Sequence, residues 1–212
     1  MRDDKPLVLD VDGTFLKTDM LLECFWAGLG LDPVATLRAS VTLLGDRAAL
    51  KAELARIADI RTDLLPVNGA VLAEVEAAKA AGREVVLASA SHETLVQRLA
   101  DDHGLSDRVF ASDGVKNLKG SEKAAALVAA YGEGGFDYGG NEKADRKIWA
   151  HADRALVVND AASAEMLEAE GKPVTRIDGD WSFSGIITAF RPHQWVKNLL
   201  LFAPLLAGHV FL

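Results

Sequence analysis

The sequence predicts an α/β fold, a doubly wound parallel sheet of the Rossmann-like type with an inserted helical cap. Short, nearly continuous apolar runs alternate with longer stretches rich in Ala, Leu, Glu and Lys. This pattern is typical of parallel strands that are covered by helices on both faces. The interval 15–63 breaks the rhythm, since it is helical by composition and directly follows the first apolar run. Because ligands bind beyond the carboxyl ends of the strands in such sheets, we expect this interval to cap those ends.

Taken in order along the chain, five apolar runs predict strands and four intervening stretches predict helices. The strands are expected at 7–11, 84–89, 108–112, 136–140 and 155–159, and the helices at 68–81, 93–102, 122–131 and 161–170. Gly82 and Gly171 stand where helix C-caps are expected. The predicted domain, 1–180, therefore has a core of about 1–14 and 64–180 and a cap of about 15–63. Additional core helices are the alternative interpretation of the insertion.

Charge and cysteine content exclude several classes of protein. The net charge of -8 and the pI near 5.1 argue against a nucleic acid partner, because no basic surface neutralises phosphates. The single cysteine, Cys24, excludes an internal disulfide framework, suits a reducing compartment and has apolar neighbours that predict burial. Acids stand near the start of the chain, where a signal peptide needs basic residues and an apolar core. An anionic substrate would therefore be held locally, by a metal ion and a few placed cations.

The tail 181–212 differs in composition from the rest of the chain. It has no Asp or Glu, and it ends in the apolar run 199–212, which is shorter than the roughly 20 residues that span a bilayer. Length alone leaves a docked core helix or an interfacial segment open. Trp195, Arg191 and Lys197 precede or flank the run in the manner of membrane-interface residues. We therefore expect an interfacial segment and the start of a first transmembrane helix, with the preceding domain on the cytoplasmic face of the membrane.

Two acids lie at the end of the first predicted strand. Asp10 and Asp12 are two residues apart, so the strand period places both carboxylates on one side. Gly13 allows a tight turn and Thr14 adds a hydroxyl. Adjacent carboxylates repel each other, and a hard divalent cation such as Mg²⁺ relieves that repulsion. One carboxylate can then attack phosphorus while the other handles the proton of the leaving group.

The second predicted strand ends in small polar residues. Ser89, Ala90, Ser91 and His92 lead into a predicted helix, whose free N–H groups and dipole favour a bound phosphate. Ser89 and the backbone at Ala90 are the expected phosphate contacts, and Ser91 is the expected N-cap of the helix. A lone exposed histidine at a helix start, such as His92, is more often incidental than catalytic.

Two further clusters complete the expected site. Lys119 and Lys123 lie near the start of a predicted helix, where an ammonium group could stabilise the charge on a transferring phosphoryl group. Asn141 and Asp145 follow the fourth strand and offer two more oxygen ligands for a metal ion. Four clusters at strand ends that converge on one edge of a sheet form a more specific signal than any one of them.

This ordered set resembles the haloacid dehalogenase-like (HAD) hydrolase superfamily, in particular its phosphoserine-phosphatase-like branch with a helical cap, over roughly residues 6–178. The resemblance implies that Asp10 is an aspartyl nucleophile. It also implies that Asp12 is the general acid/base and binds Mg²⁺ through its backbone carbonyl. Ser89 matches the phosphate-binding hydroxyl. The catalytic lysine is Lys123 or Lys119, and Gly-x-x-Lys at the start of a helix favours Lys123.

The fourth motif departs from the family pattern, which usually reads Gly-Asp-x-x-x-Asp. Asn141 stands where the first Asp is expected, whereas Asp145 matches the second. An amide oxygen can bind Mg²⁺ but carries no charge, so a lower metal affinity is expected. The metal set predicted from the sequence is Asp10, Asp12, Asn141 and Asp145.

The tail resembles the start of a UbiA-type polyprenyltransferase of the kind that makes phosphoribosyl polyprenyl phosphate, over about 22 residues that include none of the Asp-rich motifs of that family. The leading expectation is thus a Mg²⁺-dependent phosphomonoesterase. Its substrate would be a phosphorylated small molecule or the 5′-phosphate of a lipid-linked phosphoribose. One alternative is a catalytically weak head that binds phosphate or metal and regulates a membrane prenyltransferase. A receiver domain is the other, and the insertion after the first strand argues against it.

Overall fold

The computed structural model describes residues 4–113 and 118–178, and the statements below refer to those ranges. The chain divides into two units, Met1–Asp178 and Gly179–Leu212. The tail predicted to approach a membrane, 181–212, lies outside the described residues. Within the described ranges, no helix combines the length and the apolar character needed to cross a bilayer.

Six parallel strands form one sheet in the order β3-β2-β1-β4-β5-β6. Their bounds are β1 Leu7–Leu9, β2 Val85–His92, β3 Val109–Ser112, β4 Asp137–Gly140, β5 Ala155–Val158 and β6 Val174–Ile177. The predicted fold class is confirmed. The sequence analysis missed β6, because this partly exposed edge strand carries Thr175 and Arg176 and so forms no continuous apolar run.

Eight α-helices accompany the strands in the described ranges. Their bounds are α1 Met20–Leu31, α2 Pro33–Thr42, α3 Arg47–Ile57, α4 Gly69–Ala80, α5 Glu93–Asp102, α6 Ser121–Tyr131, α7 Arg146–Trp149 and α8 Ala161–Ala169. Gly82 and Gly171 have positive φ just beyond α4 and α8, as predicted for C-caps. The short helix α7 was not predicted, because its four residues are too few to show a helical period.

The helices α1, α2 and α3 form the inserted cap. Each of these helices has an aspartate as its N-cap, namely Asp19, Asp32 and Asp46. The carboxylate of each aspartate accepts a hydrogen bond from a backbone N–H in the first turn of its helix. The three helices pack against one another, and α3 also contacts β2. Lys51 on α3 donates a hydrogen bond to the backbone oxygen of Ala90, at 2.8 Å, and so ties the cap to the sheet. The insertion therefore stands at the edge where β2 ends.

Apolar layers cover both faces of the sheet. On β1, Leu7 and Leu9 pack into one layer together with residues of α4, α5 and the cap, whereas Val8 packs into the opposite layer with α6, α7 and α8. All three side chains are fully buried. Alternating directions on a strand with two covered faces require an uninterrupted apolar sequence. This requirement explains why β1 reads Leu-Val-Leu and why the first polar residue, Asp10, falls at its end.

Candidate active site

A cavity of about 390 Å³ opens at the carboxyl end of β1. Its walls come from the segment after β1, from the cap, from Ala90 near the end of β2, from the start of α6 with the residues just before it, and from the segment that follows β4. The lining residues are Asp10, Asp12, Asp19, Leu21, Leu44, Arg47, Leu50, Lys51, Ala90, Lys119, Gly120, Lys123, Glu142, Ala144 and Asp145. Six of the residues predicted for the site are therefore among them.

Asp12 is bound on both of its carboxylate oxygens. The backbone N–H of Met20, the first residue of α1, donates to Oδ1 at 2.8 Å, and the hydroxyl of Ser91 donates to Oδ2 at 3.0 Å. Burial raises the pKa of Asp12 to about 6, and the nearby charge of Asp10 adds to this effect. A carboxyl group with such a pKa can both release and accept a proton near neutral pH.

Asp10 forms an ion pair with Lys123, which lies in the first turn of α6. The Nζ atom of Lys123 lies 2.5 Å from Oδ1 of Asp10, and the two side chains are 5% and 13% exposed. Lys119 also lines the cavity, but its Nζ atom pairs with Oε2 of Glu142 at 3.5 Å, and its side chain is about half exposed. Of the two candidate lysines, Lys123 is therefore the one placed against the acid pair.

Asp145 anchors the segment that carries Asn141. Its Oδ2 atom accepts hydrogen bonds from the backbone N–H groups of Asn141 and Glu142, and its Oδ1 atom accepts one from the hydroxyl of Tyr138. Burial raises the pKa of Asp145 to about 6, as does the charge of Asp10, while Lys123 acts in the opposite sense. The hydrogen bonds of Asp145 thus mainly fix the backbone of the turn after β4.

The side chain of Asn141 fits closely against the turn after β1. Its Oδ1 atom accepts a hydrogen bond from the hydroxyl of Thr14 at 3.1 Å. Gly13 has a φ of +76°, and a Cβ atom at this position would lie 2.3 Å from Nδ2 of Asn141. Glycine is therefore required at this position by both conformation and space. Gly13 and Thr14, which were predicted to contact substrate, here support Asn141.

The end of β2 differs from the prediction in one respect. Ser89 is fully buried and its Oγ atom accepts the backbone N–H of Ser91 at 2.9 Å, whereas Ala90 lines the cavity. The expectation that Ser91 caps α5 was wrong. His92 is the N-cap, since its ring accepts from the backbone N–H of Thr94. The hydroxyl of Ser91 instead donates a hydrogen bond to Asp12, and no sequence pattern indicates this contact.

The cap contributes cations and apolar side chains that the sequence analysis did not assign to the site. Arg47 and Lys51 on α3 line the cavity together with Leu21, Leu44 and Leu50. Burial lowers the pKa of Lys51, and the charges of Asp12 and Asp19 partly oppose this effect. No local pattern marks these residues, because their role depends on how the cap is placed over the end of β2.

The oxygen donors at this edge fit a hard cation such as Mg²⁺. Among the described residues, no three His, Cys, Asp or Glu side chains converge as a metal site. Asn141 contributes an uncharged amide oxygen to this edge. The oxygen donors are therefore of the right chemical kind for Mg²⁺, and one of them carries no charge.

Comparison of the sequence with known proteins finds an uncharacterized relative. No family model matches the chain. The chain is 32% identical over 208 residues to the uncharacterized protein y4nM of Sinorhizobium fredii (strain NBRC 101917 / NGR234), and the match covers 97% of this chain and 40% of that protein. The chain thus spans less than half of the length of this relative.

The solved structures that are similar to the chain include the following three, each at low sequence identity. A phosphoserine phosphatase in its apo form has 16% identity and a TM-score of 0.54, with coverage of 82% of this chain and 93% of that chain. The HAD family hydrolase t0658 from Salmonella enterica serovar Typhi has 18% identity, a TM-score of 0.55 and coverage of 82% and 68%. A phospho-aspartyl intermediate analogue of phosphoserine phosphatase has 13% identity, a TM-score of 0.51 and coverage of 83% and 94%. The chain therefore has the fold of HAD-family phosphatases.

Proposed function

We propose that the chain is a Mg²⁺-dependent phosphohydrolase that acts on phosphomonoesters through a phospho-aspartyl intermediate on Asp10. The observation that carries this proposal is the buried contact between Asp10 and Lys123 beside Asp12, at the floor of a cavity on the carboxyl edge of the sheet. Clustered groups whose environments perturb their proton affinity are typical of catalytic sites. The phosphatase fold of the similar structures is consistent with this chemistry.

The proposed reaction has two steps. In the first, a carboxylate oxygen of Asp10 forms a bond to phosphorus, the bond from phosphorus to the leaving oxygen breaks, and Asp12 donates its proton to that oxygen. In the second, Asp12 accepts a proton from water, the water oxygen bonds to phosphorus, and the bond to Asp10 breaks to release phosphate. The pKa of about 6 suits Asp12 to both roles.

Positive charge supports both steps. Lys123 is placed to offset the charge on Asp10 and on the phosphoryl oxygens as they approach it. Mg²⁺, held by Asp10, Asp12 and Asn141, would supply further neutralisation of the phosphoryl group. Asp145 contributes by fixing the backbone of Asn141, to which it is hydrogen-bonded.

The test is turnover of 4-nitrophenyl phosphate by the purified chain with and without Mg²⁺. We expect Mg²⁺-dependent release of phosphate, a loss of at least about 10³-fold in Asp10→Asn, and a covalent phosphoenzyme that acid quenching traps in the wild type only. Asp19→Asn is the matched control, because Asp19 lines the same cavity but caps α1, a role that asparagine also fills. Unchanged turnover in Asp10→Asn would exclude Asp10 as the nucleophile.

We further propose a substrate and a location. The resemblance of the tail supports a lipid-linked phosphoribose bearing a 5′-phosphate, such as phosphoribosyl polyprenyl phosphate, and placement at the cytoplasmic face of a membrane. The leucines that line the cap side of the cavity suit an apolar part of a substrate. Phosphate release from the lipid-linked substrate at a kcat/KM no higher than that for ribose 5-phosphate would contradict the substrate proposal. Recovery of the full-length protein in the soluble fraction of cells would contradict the location.

Asn141 favours a second candidate function, a catalytically weak head that binds phosphate or metal and regulates a membrane prenyltransferase. An uncharged ligand at this position lowers the expected affinity for Mg²⁺ and with it the rate of any Mg²⁺-dependent step. Tight binding of phosphate in the presence of Mg²⁺, without hydrolysis across a panel of phosphomonoesters, would support the regulatory head over the enzyme.

A further inference from the structure

We propose that Tyr138 is a positioning residue of the active site, whose buried hydroxyl holds Lys123 in contact with Asp10. Tyr138 lies on β4 and is fully buried. The proposal rests on the proposed function, because the placement of Lys123 affects a rate only if Asp10 is the nucleophile. From the sequence, Tyr138 is expected to be an aromatic core residue of a parallel strand, and no neighbouring residue indicates a role in the site.

The ammonium group of Lys123 has three N–H donors, and three acceptors surround it. These are Oδ1 of Asp10 at 2.5 Å, the backbone oxygen of Ala88 at 2.9 Å and the hydroxyl oxygen of Tyr138 at 3.2 Å. Every donor of the buried lysine is thereby satisfied. The direction in which the Nζ atom points is fixed by all three partners together, and Tyr138 is the one that is neither backbone nor a reacting group.

The hydroxyl of Tyr138 is itself fixed from the other side. Because its oxygen accepts from Lys123, its hydrogen is free to be donated to Oδ1 of Asp145, which lies 3.0 Å away. Asp145 in turn accepts the backbone N–H groups of Asn141 and Glu142. The hydroxyl thus connects the lysine to the turn after β4, and the network has a single consistent pattern of donors and acceptors.

The ring of Tyr138 has a separate, structural role. It meets the ring of Trp149 edge to face at 6.5 Å, and the indole N–H of Trp149 donates to the backbone oxygen of Tyr138. Phenylalanine preserves the ring and the backbone contact and removes only the hydroxyl. Tyr138→Phe therefore separates positioning of the lysine from packing of the strand.

The chain offers a matched control in its other tyrosine, Tyr131. The hydroxyl of Tyr131 is buried and has Arg108 and Glu84 as its electrostatic neighbours, neither of which contacts Lys123. Tyr131→Phe thus removes a hydroxyl of the same kind from the same hydrophobic layer without changing a contact of Lys123. Any effect specific to Tyr138→Phe then belongs to its contacts with Lys123 and Asp145.

The experiment measures kcat and KM for 4-nitrophenyl phosphate with Mg²⁺ in the wild type and in both phenylalanine variants. We expect kcat of Tyr138→Phe to fall by about 10- to 100-fold, because a misplaced catalytic group loses rate on this scale. KM should stay within about twofold, and Tyr131→Phe should match the wild type in both constants. If the wild type is active and Tyr138→Phe has the same kcat, the positioning role is overturned and the proposed phosphatase activity is not. Absence of Mg²⁺-dependent turnover in the wild type would instead refute the phosphatase.

A double-mutant cycle shows whether Tyr138 acts through the lysine. In a Lys123→Met background, adding Tyr138→Phe should lower kcat by less than about twofold, whereas a role independent of Lys123 predicts the full loss again. If Tyr138→Phe fails to fold, 3-fluorotyrosine incorporated into Tyr131→Phe gives the same test, since Tyr138 is then the only tyrosine. The hydroxyl oxygen of 3-fluorotyrosine is a weaker hydrogen-bond acceptor than that of tyrosine, so kcat should fall at least about twofold while KM stays unchanged. An unchanged kcat would overturn the proposal.

Discussion

Replacing Asn141 with Asp should raise the affinity of the proposed cation site for Mg²⁺ and lower the stability of the protein when no cation is bound. The amide oxygen of Asn141 accepts a hydrogen bond from Thr14, and its nitrogen packs against Gly13. An aspartate side chain has nearly the same shape, and its oxygens accept the hydroxyl of Thr14 as the amide oxygen does. The substitution Asn141→Asp therefore changes the charge of the site far more than its packing.

The magnitude follows from the neighbouring acids. Without a cation, the new carboxylate joins Asp10 and Asp12, where burial and repulsion already raise the pKa of Asp12 to about 6. Two like charges about 6 Å apart repel by about 3 kcal/mol at an effective dielectric constant of about 20, so repulsion from both acids bounds the loss in free energy of unfolding at about 6 kcal/mol. With Mg²⁺, an added charged ligand should tighten binding at least about tenfold, since even hydrogen-bond partners of metal ligands are worth about 10- to 100-fold. Tenfold tighter binding adds about 1.4 kcal/mol of stability at saturating Mg²⁺.

The assay is thermal unfolding with a chelator and with saturating Mg²⁺, together with calorimetric titration of Mg²⁺. We expect Asn141→Asp to unfold below the wild type in chelator and to show the larger upward shift with Mg²⁺. Asn68→Asp is the control, because it adds the same charge at the N-cap of α4, where an acid is well tolerated. Equal Mg²⁺-induced shifts in Asn141→Asp and the wild type would refute the reasoning that position 141 belongs to the cation site.

Three further predictions concern the lysines, a buried ion pair and the cysteine. Lys123→Met should lower kcat at least about 10²-fold and Lys119→Met less than about tenfold, because Lys123 contacts Asp10 whereas Lys119 pairs with Glu142, and steady-state kinetics will check this. Asp137→Ala removes the carboxylate that two arginines share in a largely buried setting and should cost about 3–5 kcal/mol in urea unfolding, whereas Asp63→Ala, which removes an exposed partner of one arginine, should leave the urea midpoint nearly unchanged. Burial raises the pKa of Cys24 to about 12, and nearby acids add to the effect, so native protein at pH 8 should resist a thiol reagent that labels it once unfolded.

The sequence was sufficient to predict the fold class and to select six residues that line one cavity. Among them, Asp10, Ala90 and Asp145 lie at or just beyond the end of a predicted strand, and Lys123 lies at the start of a predicted helix. Parallel strands bring their carboxyl ends to one edge, so residues far apart in the chain converge without any further information. The strand period placed Asp10 and Asp12 together, and the structure separates Lys123 from Lys119 by burial.

The contacts that organise those groups could not be predicted in the same way. Ser91 binds Asp12 across 79 residues, Tyr138 binds Lys123 across 15, and Lys51 reaches Ala90 across 39. Each depends on the direction of a side chain within a packed layer, and neither period nor motif specifies that direction. Ser91 illustrates the difficulty, because a serine before a helix has the local signature of an N-cap and the adjacent histidine fills that role instead.

The cost of the buried charges bears on the choice between an enzyme and a regulatory head. Lys123, Asp10 and Asp145 are all largely removed from water, and buried ion pairs rarely stabilise a fold relative to apolar side chains of similar volume. A protein that only needed the fold would gain nothing from keeping this network at the end of its central strand. A phosphoryl group entering the cavity, by contrast, needs a nucleophile, a nearby cation and a proton donor in this arrangement. Asn141 lowers the charge that the cation-free site must carry, and it leaves in place the buried contacts of Asp10, Lys123 and Asp145 on which the proposed chemistry depends.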